Sequence, residues 1–352
     1  MIRLSDRART FQPYRAARHD ALAGLLLDAN EHARGGLREH VDLAETLAGL
    51  ARYPDPANLR LRRSAAAAYD VPTEAVFTGN GSDEAIDLLF RAFTDPGDEV
   101  LVAVPTYGMY AVQAALNAVA VRELPLGADF RLPEGALDGG AAVGSRARLL
   151  FACSPNNPTG NLIGRRGILD AARRFPGLTV VDEAYVEFSG APSLAREAAR
   201  AGSSLVVLRT LSKAWGLAGL RVGFAIADPA VIAVLQRVKL PYNLNAVASA
   251  IGVRVLGDGA RLDANVGQVL CERDRLRIEL GRRGLAPLPS DANFLLVPHA
   301  GATELVQRLA SRENVVVRDR SGLREIPSAF RVTVGSGDDN ARFLEALDRC
   351  LA

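Results

Sequence analysis

Within this chain, the segment Leu208-Arg-Thr-Leu-Ser-Lys-Ala-Trp-Gly-Leu-Ala-Gly-Leu-Arg-Val-Gly223 places two hydroxyls, a lysine and an arginine directly after an apolar run. An amine that is to condense with a carbonyl must lose its proton easily, and a desolvated, cation-rich setting lowers its pKa. Lys213 is the candidate for that role. Thr210, Ser212 and Arg221 suit a phosphate dianion, through hydroxyl hydrogen bonds and a guanidinium fork. Taken alone, the segment also reads as a loop whose lysine is solvated.

Thr179-Val-Val-Asp-Glu-Ala-Tyr185 ends an apolar run in a carboxylate, the position that faces the ligand crevice of an open α/β sheet. Asp182 there can keep a pyridine nitrogen protonated, which makes the ring a better electron sink, and Tyr185 can hydrogen-bond the ring's 3-oxygen. By itself Asp182 reads equally as a helix cap or a metal ligand. Ser154-Pro-Asn-Asn-Pro-Thr-Gly160 is a rigid turn that can aim the Asn157 amide at a ring oxygen, although such turns are more often structural. Thr78-Gly-Asn-Gly-Ser-Asp-Glu84 leads into a helix whose N-terminal amides, at Gly81, Ser82 and Asp83, can bind phosphate. It matches neither the dinucleotide-binding nor the P-loop glycine pattern.

Tyr107, after another apolar run, either stacks on a flat heterocycle or belongs to the core. In Phe330-Arg-Val-Thr-Val-Gly335 a period of two puts Arg331 and Thr333 on one strand face. Arg331 suits a substrate carboxylate or phosphate, or is an exposed sheet arginine.

The elements that must position these groups alternate in an α/β pattern. Residues 75–78, 100–104, 149–152, 179–181, 205–208 and 222–227 read as strands, apolar almost throughout, as expected of a mostly parallel sheet covered on both faces. Ile86, Leu89, Phe90 and Phe93 give one apolar helix face, with the helix starting near Ser82 or Asp83. Beyond Pro241 the texture changes to a smaller α+β unit: a charged helix near 263–283, short runs at 293–297, 315–317 and 330–334, and a final helix capped within 338–340. The expected division is an N-terminal arm (1–28), a large domain (29–246) and a small C-terminal domain (247–352).

Composition narrows the function classes. The 352 residues are 49% hydrophobic and 23% charged, and 42 Lys and Arg against 40 Asp and Glu give a net charge of +2, with no basic tract that predicts nucleic-acid binding. Three cysteines without CxxC spacing indicate neither a disulfide framework nor a zinc cluster, and a reducing cytoplasm is expected. The sequence shows no signal-peptide pattern and no run approaching a membrane span.

Taken in order, these segments resemble the fold-type I aminotransferases that depend on pyridoxal 5′-phosphate (PLP), and among them the histidinol-phosphate aminotransferases. The resemblance also rests on Pro13-Tyr14, Ala29-Asn-Glu31, Arg52-Tyr-Pro-Asp-Pro56, Ser82-Asp-Glu84, Pro105-Thr-Tyr-Gly-Met-Tyr110 and Leu217-Ala-Gly-Leu-Arg221, and it covers nearly the whole chain. It implies a mostly parallel seven-stranded sheet between helices in a large PLP-binding domain, and a smaller α+β domain.

The resemblance further implies that Lys213 carries the cofactor as a Schiff base and that Asp182 pairs with the ring nitrogen. Asn157 and Tyr185 would hold the ring oxygen, and Tyr107 would stack on the ring. Ser82, Asp83, Thr210, Ser212 and Arg221 would take the cofactor phosphate, joined by Tyr53 from the other subunit of a homodimer. Arg318, Arg331, Asn157 and Tyr14, the last from the partner, would bind substrate. The implied reaction moves an amine between glutamate and imidazole acetol phosphate, giving 2-oxoglutarate and histidinol phosphate for histidine biosynthesis. An aromatic amino-acid aminotransferase or a phospho-amino-acid decarboxylase on the same scaffold is the alternative. No metal, membrane or nucleic acid is expected. Two stretches depart from the family pattern, Asp319-Arg-Ser-Gly-Leu-Arg-Glu-Ile-Pro327 between the two substrate arginines, and His32-Ala-Arg-Gly-Gly36, which lacks the usual proline.

Overall fold

A strand covered by helices on both faces must be apolar on both, and the central strands of this protein are. The computed structural model describes residues 24–33, 35–37, 43–137 and 146–352. In chain order its strands are β1 (Leu25–Leu26), β2 (Val76–Asn80), β3 (Glu99–Val104), β4 (Ala120–Pro125), β5 (Ala147–Cys153), β6 (Leu178–Asp182), β7 (Leu205–Thr210), β8 (Val222–Ala227), β9 (Phe294–Pro298), β10 (Val315–Val316), β11 (Arg318–Asp319) and β12 (Ala329–Thr333). β7 and β8 are buried at every position. Alternate side chains enter two separate cores: Leu150, Val181, Val207 and Ile226 on one face, Leu149, Phe151, Val180, Val206 and Ala225 on the other.

Seven strands form the main sheet in the order β2-β8-β7-β6-β5-β3-β4. β3 to β7 pair in parallel, and β8 runs antiparallel to both of its neighbours, β2 and β7. The C-terminal ends of β2, β5, β6 and β7 therefore lie on one edge of the sheet, together with the start of β8. The loops that leave that edge carry Ser82, Asn157, Asp182, Lys213 and Arg221.

The expected fold class holds, with local differences. β4 was not expected; it is the edge strand, mostly exposed, and its residues carry no apolar run. The helix after β2 spans Ser82–Phe93 and buries Ile86, Leu89 and Phe90. The C-terminal part begins its long helix earlier than expected, at Gly259–Arg282, after Asp258 accepts a hydrogen bond from the Arg261 N–H. Ser336, rather than 338–340, caps the final helix Gly337–Leu351, in a capping box with Asp339.

β11, β12 and β9 form an antiparallel sheet packed on the helices Ala302–Glu313 and Gly337–Leu351 through Phe330, Leu305, Leu309 and Phe343. In the arm expected at 1–28, only 24–28 are described, and Leu25–Leu26 pair in parallel with β10. No helix among the described residues is long and apolar enough to cross a membrane.

One close approach fixes the sheet edge. A Cβ on Gly223, at the start of β8, would lie 2.2 Å from the Ser82 nitrogen and 2.3 Å from the Gly81 carbonyl carbon. Gly223→Ala is predicted to cost about 1–3 kcal/mol by overpacking, whereas Gly267→Ala, with open space inside the long helix, should stabilise by up to about 1 kcal/mol. Urea unfolding of the two variants checks the contrast.

Candidate active site

The loops of that sheet edge enclose a cavity of about 340 Å³ with three chemically distinct ends. At the first, Gly81 has φ +74 and supplies no side-chain cap to the helix Ser82–Phe93, so the helix presents its N-terminal amides to the cavity. A Cβ on Gly81 would sit 2.6 Å from Arg221 Nη2, so only glycine leaves this space open. Thr210 donates to Ser212 Oγ at 3.0 Å, and Ser212 N–H returns a bond to Thr210 Oγ1 at 3.1 Å. Arg221, in a left-handed backbone conformation at φ 56, lies 3.3 Å from Asp83 Oδ2. Amides, two hydroxyls and a guanidinium around an open space form an anion cradle. The Asp83 side chain orients Arg221 and also accepts from Tyr107 Oη at 3.3 Å.

At the middle, Asp182 ends β6 only 4% exposed. Its Oδ2 accepts from Tyr110 Oη at 2.8 Å and its Oδ1 from the Ala184 N–H at 3.1 Å. Burial pushes the carboxyl up to about 6, against those two hydrogen bonds, which hold it down. Behind this edge, buried Arg209 contacts Glu187 at 2.8 Å and Glu183 at 3.6 Å, anchoring the neighbours of Thr210 and Asp182. Lys213 Nζ donates to the Ala29 carbonyl at 2.9 Å and lies 5.6 Å from the Tyr185 ring centre. Burial of the amine, then the charge of Arg331, lowers the Lys213 pKa to about 8. The chain has only two lysines, Lys213 and Lys239, among its 42 basic residues. An arginine at 213 would stay protonated and could not act as a nucleophile.

At the third end, Arg331 is buried, not exposed on the sheet, at 5% exposure. It donates to Asn157 Oδ1 at 2.5 Å and to the Asp28 carbonyl at 2.6 Å, and its guanidinium lies 5.2 Å from the Phe294 ring centre. Arg318 stands opposite Arg331 in the β11–β12 register, so the two share a face.

The cavity thus gathers Ser82, Asp83, Tyr107, Asn157, Asp182, Tyr185, Thr210, Ser212, Lys213, Arg221, Arg318 and Arg331. It does not gather Tyr53, which is 81% exposed and stacks on Tyr242 at 4.5 Å between ring centres. Tyr14 lies outside the described residues. Three residues that lie within segments quoted from the sequence were assigned no role there. Asn30 donates to Tyr185 Oη at 3.0 Å and has φ 54, a left-handed conformation for which an asparagine is itself a signal. Arg320 lines the cavity beside Arg318, as strand alternation from 318 to 320 would place it. Tyr110 is the third.

Residues 25–347 match the family described as aminotransferase class I and II. The histidinol-phosphate aminotransferase of Parabacteroides distasonis is 38% identical over 342 residues, covering 96% of this chain and 94% of the relative. That of Xylella fastidiosa is 41% identical over 350 residues, covering 96% and 93%. Among solved structures, the Sinorhizobium meliloti histidinol-phosphate aminotransferase in complex with pyridoxal-5′-phosphate superposes with a TM-score of 0.89 at 23% identity, covering 100% of this chain and 98% of that one. The L-threonine-O-3-phosphate decarboxylase of Porphyromonas gingivalis gives 0.77 at 26% identity, covering 93% and 99%.

The amine at the centre of the cavity generates a direct prediction. Acetic anhydride should label the Lys213 peptide with a half-maximal rate near pH 8, and Arg331→Met should move that midpoint upward by removing the cation that favours the neutral amine. Mass spectrometry of the labelled peptide reads both. A wild-type midpoint near the ordinary lysine value of about 10.4 would contradict the geometry.

Proposed function

The chain belongs to the class I and II aminotransferases, and from that premise we propose that it is a PLP-dependent aminotransferase moving an amine from glutamate to imidazole acetol phosphate, yielding 2-oxoglutarate and histidinol phosphate. The observation that carries this reading is one cavity in which a low-pKa lysine lies between two separate anion sites. One is the cradle of helix amides, Thr210, Ser212 and Arg221; the other is the arginine cluster on β11 and β12.

The cradle fits the phosphate of PLP, and buried Asp182 fits its ring nitrogen. Bound PLP supplies an electrophilic carbonyl carbon and a protonated ring that withdraws electrons. Lys213 would hold the cofactor covalently and, once displaced by substrate, carry the proton from the substrate's α-carbon. Tyr185 and Asn157 would orient the ring oxygen, Tyr107 would stack on the ring, and Asp182 would keep the ring-nitrogen proton in place. Arg331, already fixed by Asn157 and the Asp28 carbonyl, would receive the anionic group of either substrate. Arg318 would add a donor for the bulkier phosphate.

The same reading makes the protein a cytoplasmic homodimer in which Tyr53 and Tyr14 complete the partner's site. It keeps the division into arm (1–28), PLP-binding domain (29–246) and C-terminal domain (247–352). The full-length relatives at 38–41% identity are histidinol-phosphate aminotransferases, which favours amine transfer over decarboxylation.

Specificity is expected to follow the phosphate rather than the imidazole. A charge-assisted hydrogen bond contributes about 1.5–3 kcal/mol, roughly ten- to hundredfold in efficiency. Arg318→Ala should therefore lower kcat/KM for histidinol phosphate by about that factor while sparing glutamate, and Arg331→Met should lower both. The test is kcat/KM for histidinol phosphate, histidinol, phenylalanine and glutamate. Equal wild-type efficiency on histidinol or phenylalanine would replace this reading with an aromatic aminotransferase.

A further inference from the structure

Asp182 reaches into the cavity from β6, and what holds it comes from the helix packed on that same face of the sheet. Tyr110, fully buried in the helix Met109–Leu116, donates its hydroxyl to Asp182 Oδ2 at 2.8 Å. Its ring is wedged in an aromatic column: Phe90 stacks on Phe151 at 5.4 Å, Phe151 on Tyr110 at 4.7 Å, and Tyr110 meets Tyr107 edge-on at 5.6 Å. A phenylalanine would fill the same column without a hydroxyl to satisfy. The other oxygen of Asp182 is held by the Ala184 N–H, so each oxygen has one fixed donor and the carboxylate cannot rotate freely. A carboxylate offers about four lone-pair sites, which leaves room for one more donor from the cavity.

We propose that Tyr110 is a positioning residue of the reaction: its hydroxyl, fixed by an aromatic column rooted in the core, aims the Asp182 carboxylate at the ring nitrogen and keeps it anionic. This rests on the reading of Asp182 as the partner of that nitrogen. The titratable groups facing Asp182 are Tyr110, Asp83, Lys213, Cys153 and Tyr185. Cys153 donates its thiol to the Pro155 carbonyl at 3.3 Å, and Asp83 opposes ionisation. Of the hydrogen bonds holding the carboxylate, that from Tyr110 has the larger effect. The edge-on contact with Tyr107 links the carboxylate's holder to the residue read as stacking on the ring.

The test starts on cofactor-free protein, where it does not depend on the reaction. Carbon-13 NMR of aspartate-labelled protein, with Asp182→Asn assigning the signal, follows the carboxyl titration. Tyr110→Phe should raise the midpoint by about one pH unit, the size expected for loss of a hydrogen bond to a charged group. In the PLP-loaded protein the same variant should lower kcat about tenfold and leave KM within about threefold. Incorporating 3-fluorotyrosine at position 110, which strengthens the donor, should move the titration the opposite way, and it carries the test alone if Tyr110→Phe does not fold. A midpoint that moves by less than about 0.3 unit in either variant overturns the proposal, as does an unchanged kcat alongside a shifted midpoint. Failure of wild type to transfer an amine would instead sink the assigned reaction and leave the titration result standing.

Discussion

In the proposed role Lys213 must shed its proton more readily than a lysine in open water, and the packing around the cavity bears on that one requirement. Lys213 reaches about 8 through burial and then the charge of Arg331. A buried cation creates its own demand, because unpartnered guanidinium N–H groups in a low-dielectric site are costly. Arg331 is met by Asn157 and the Asp28 carbonyl, whereas Arg221 is exposed and pairs with Asp83 at the mouth of the cradle. Those partners belong to separate loops, so the amine's chemistry depends on parts of the chain as distant as residues 28 and 331.

The sheet is what brings them together. Parallel strands deliver their C-terminal ends to one edge, and the reversed β8 returns Arg221 to that same edge, beside the Gly81 turn. Gly223 permits the contact because no Cβ stands between β8 and the turn. The antiparallel β11 and β12 close the other side of the cavity, with the register of Arg318 against Arg331 setting where its positive charge falls. The Arg209–Glu183–Glu187 cluster stiffens the strand exits from behind. Buried ion pairs of this kind are weak contributors to net stability, because desolvation offsets much of their attraction.

How much of this was legible in the sequence follows from where each residue lies. β5 to β8 are buried on both faces over most of their length, so each contains a mostly apolar run that is visible in the sequence. β4 is an exposed edge strand, and β1 and β11 are two residues long, defined by their partners and not by their own composition. Lys213, Asp182 and Asn157 were readable because they sit directly after apolar runs. Tyr110 was not, since its contact with Asp182 spans 72 positions and has no local spacing rule. Arg331 was readable as a residue on one strand face but not as buried, because its covering partners lie 174 and 303 positions away.

The proposed reaction requires Lys213 to hold the cofactor, and the scarcity of lysine in this chain makes that requirement easy to examine. Protein loaded with PLP is reduced with sodium borohydride, which fixes the cofactor to whichever amine carries it, then digested and mapped by mass spectrometry. The expected result is the reduced cofactor on the Lys213 peptide alone, with Lys239 unmodified. Cofactor on Lys239, or on neither lysine despite bound PLP, would contradict the account.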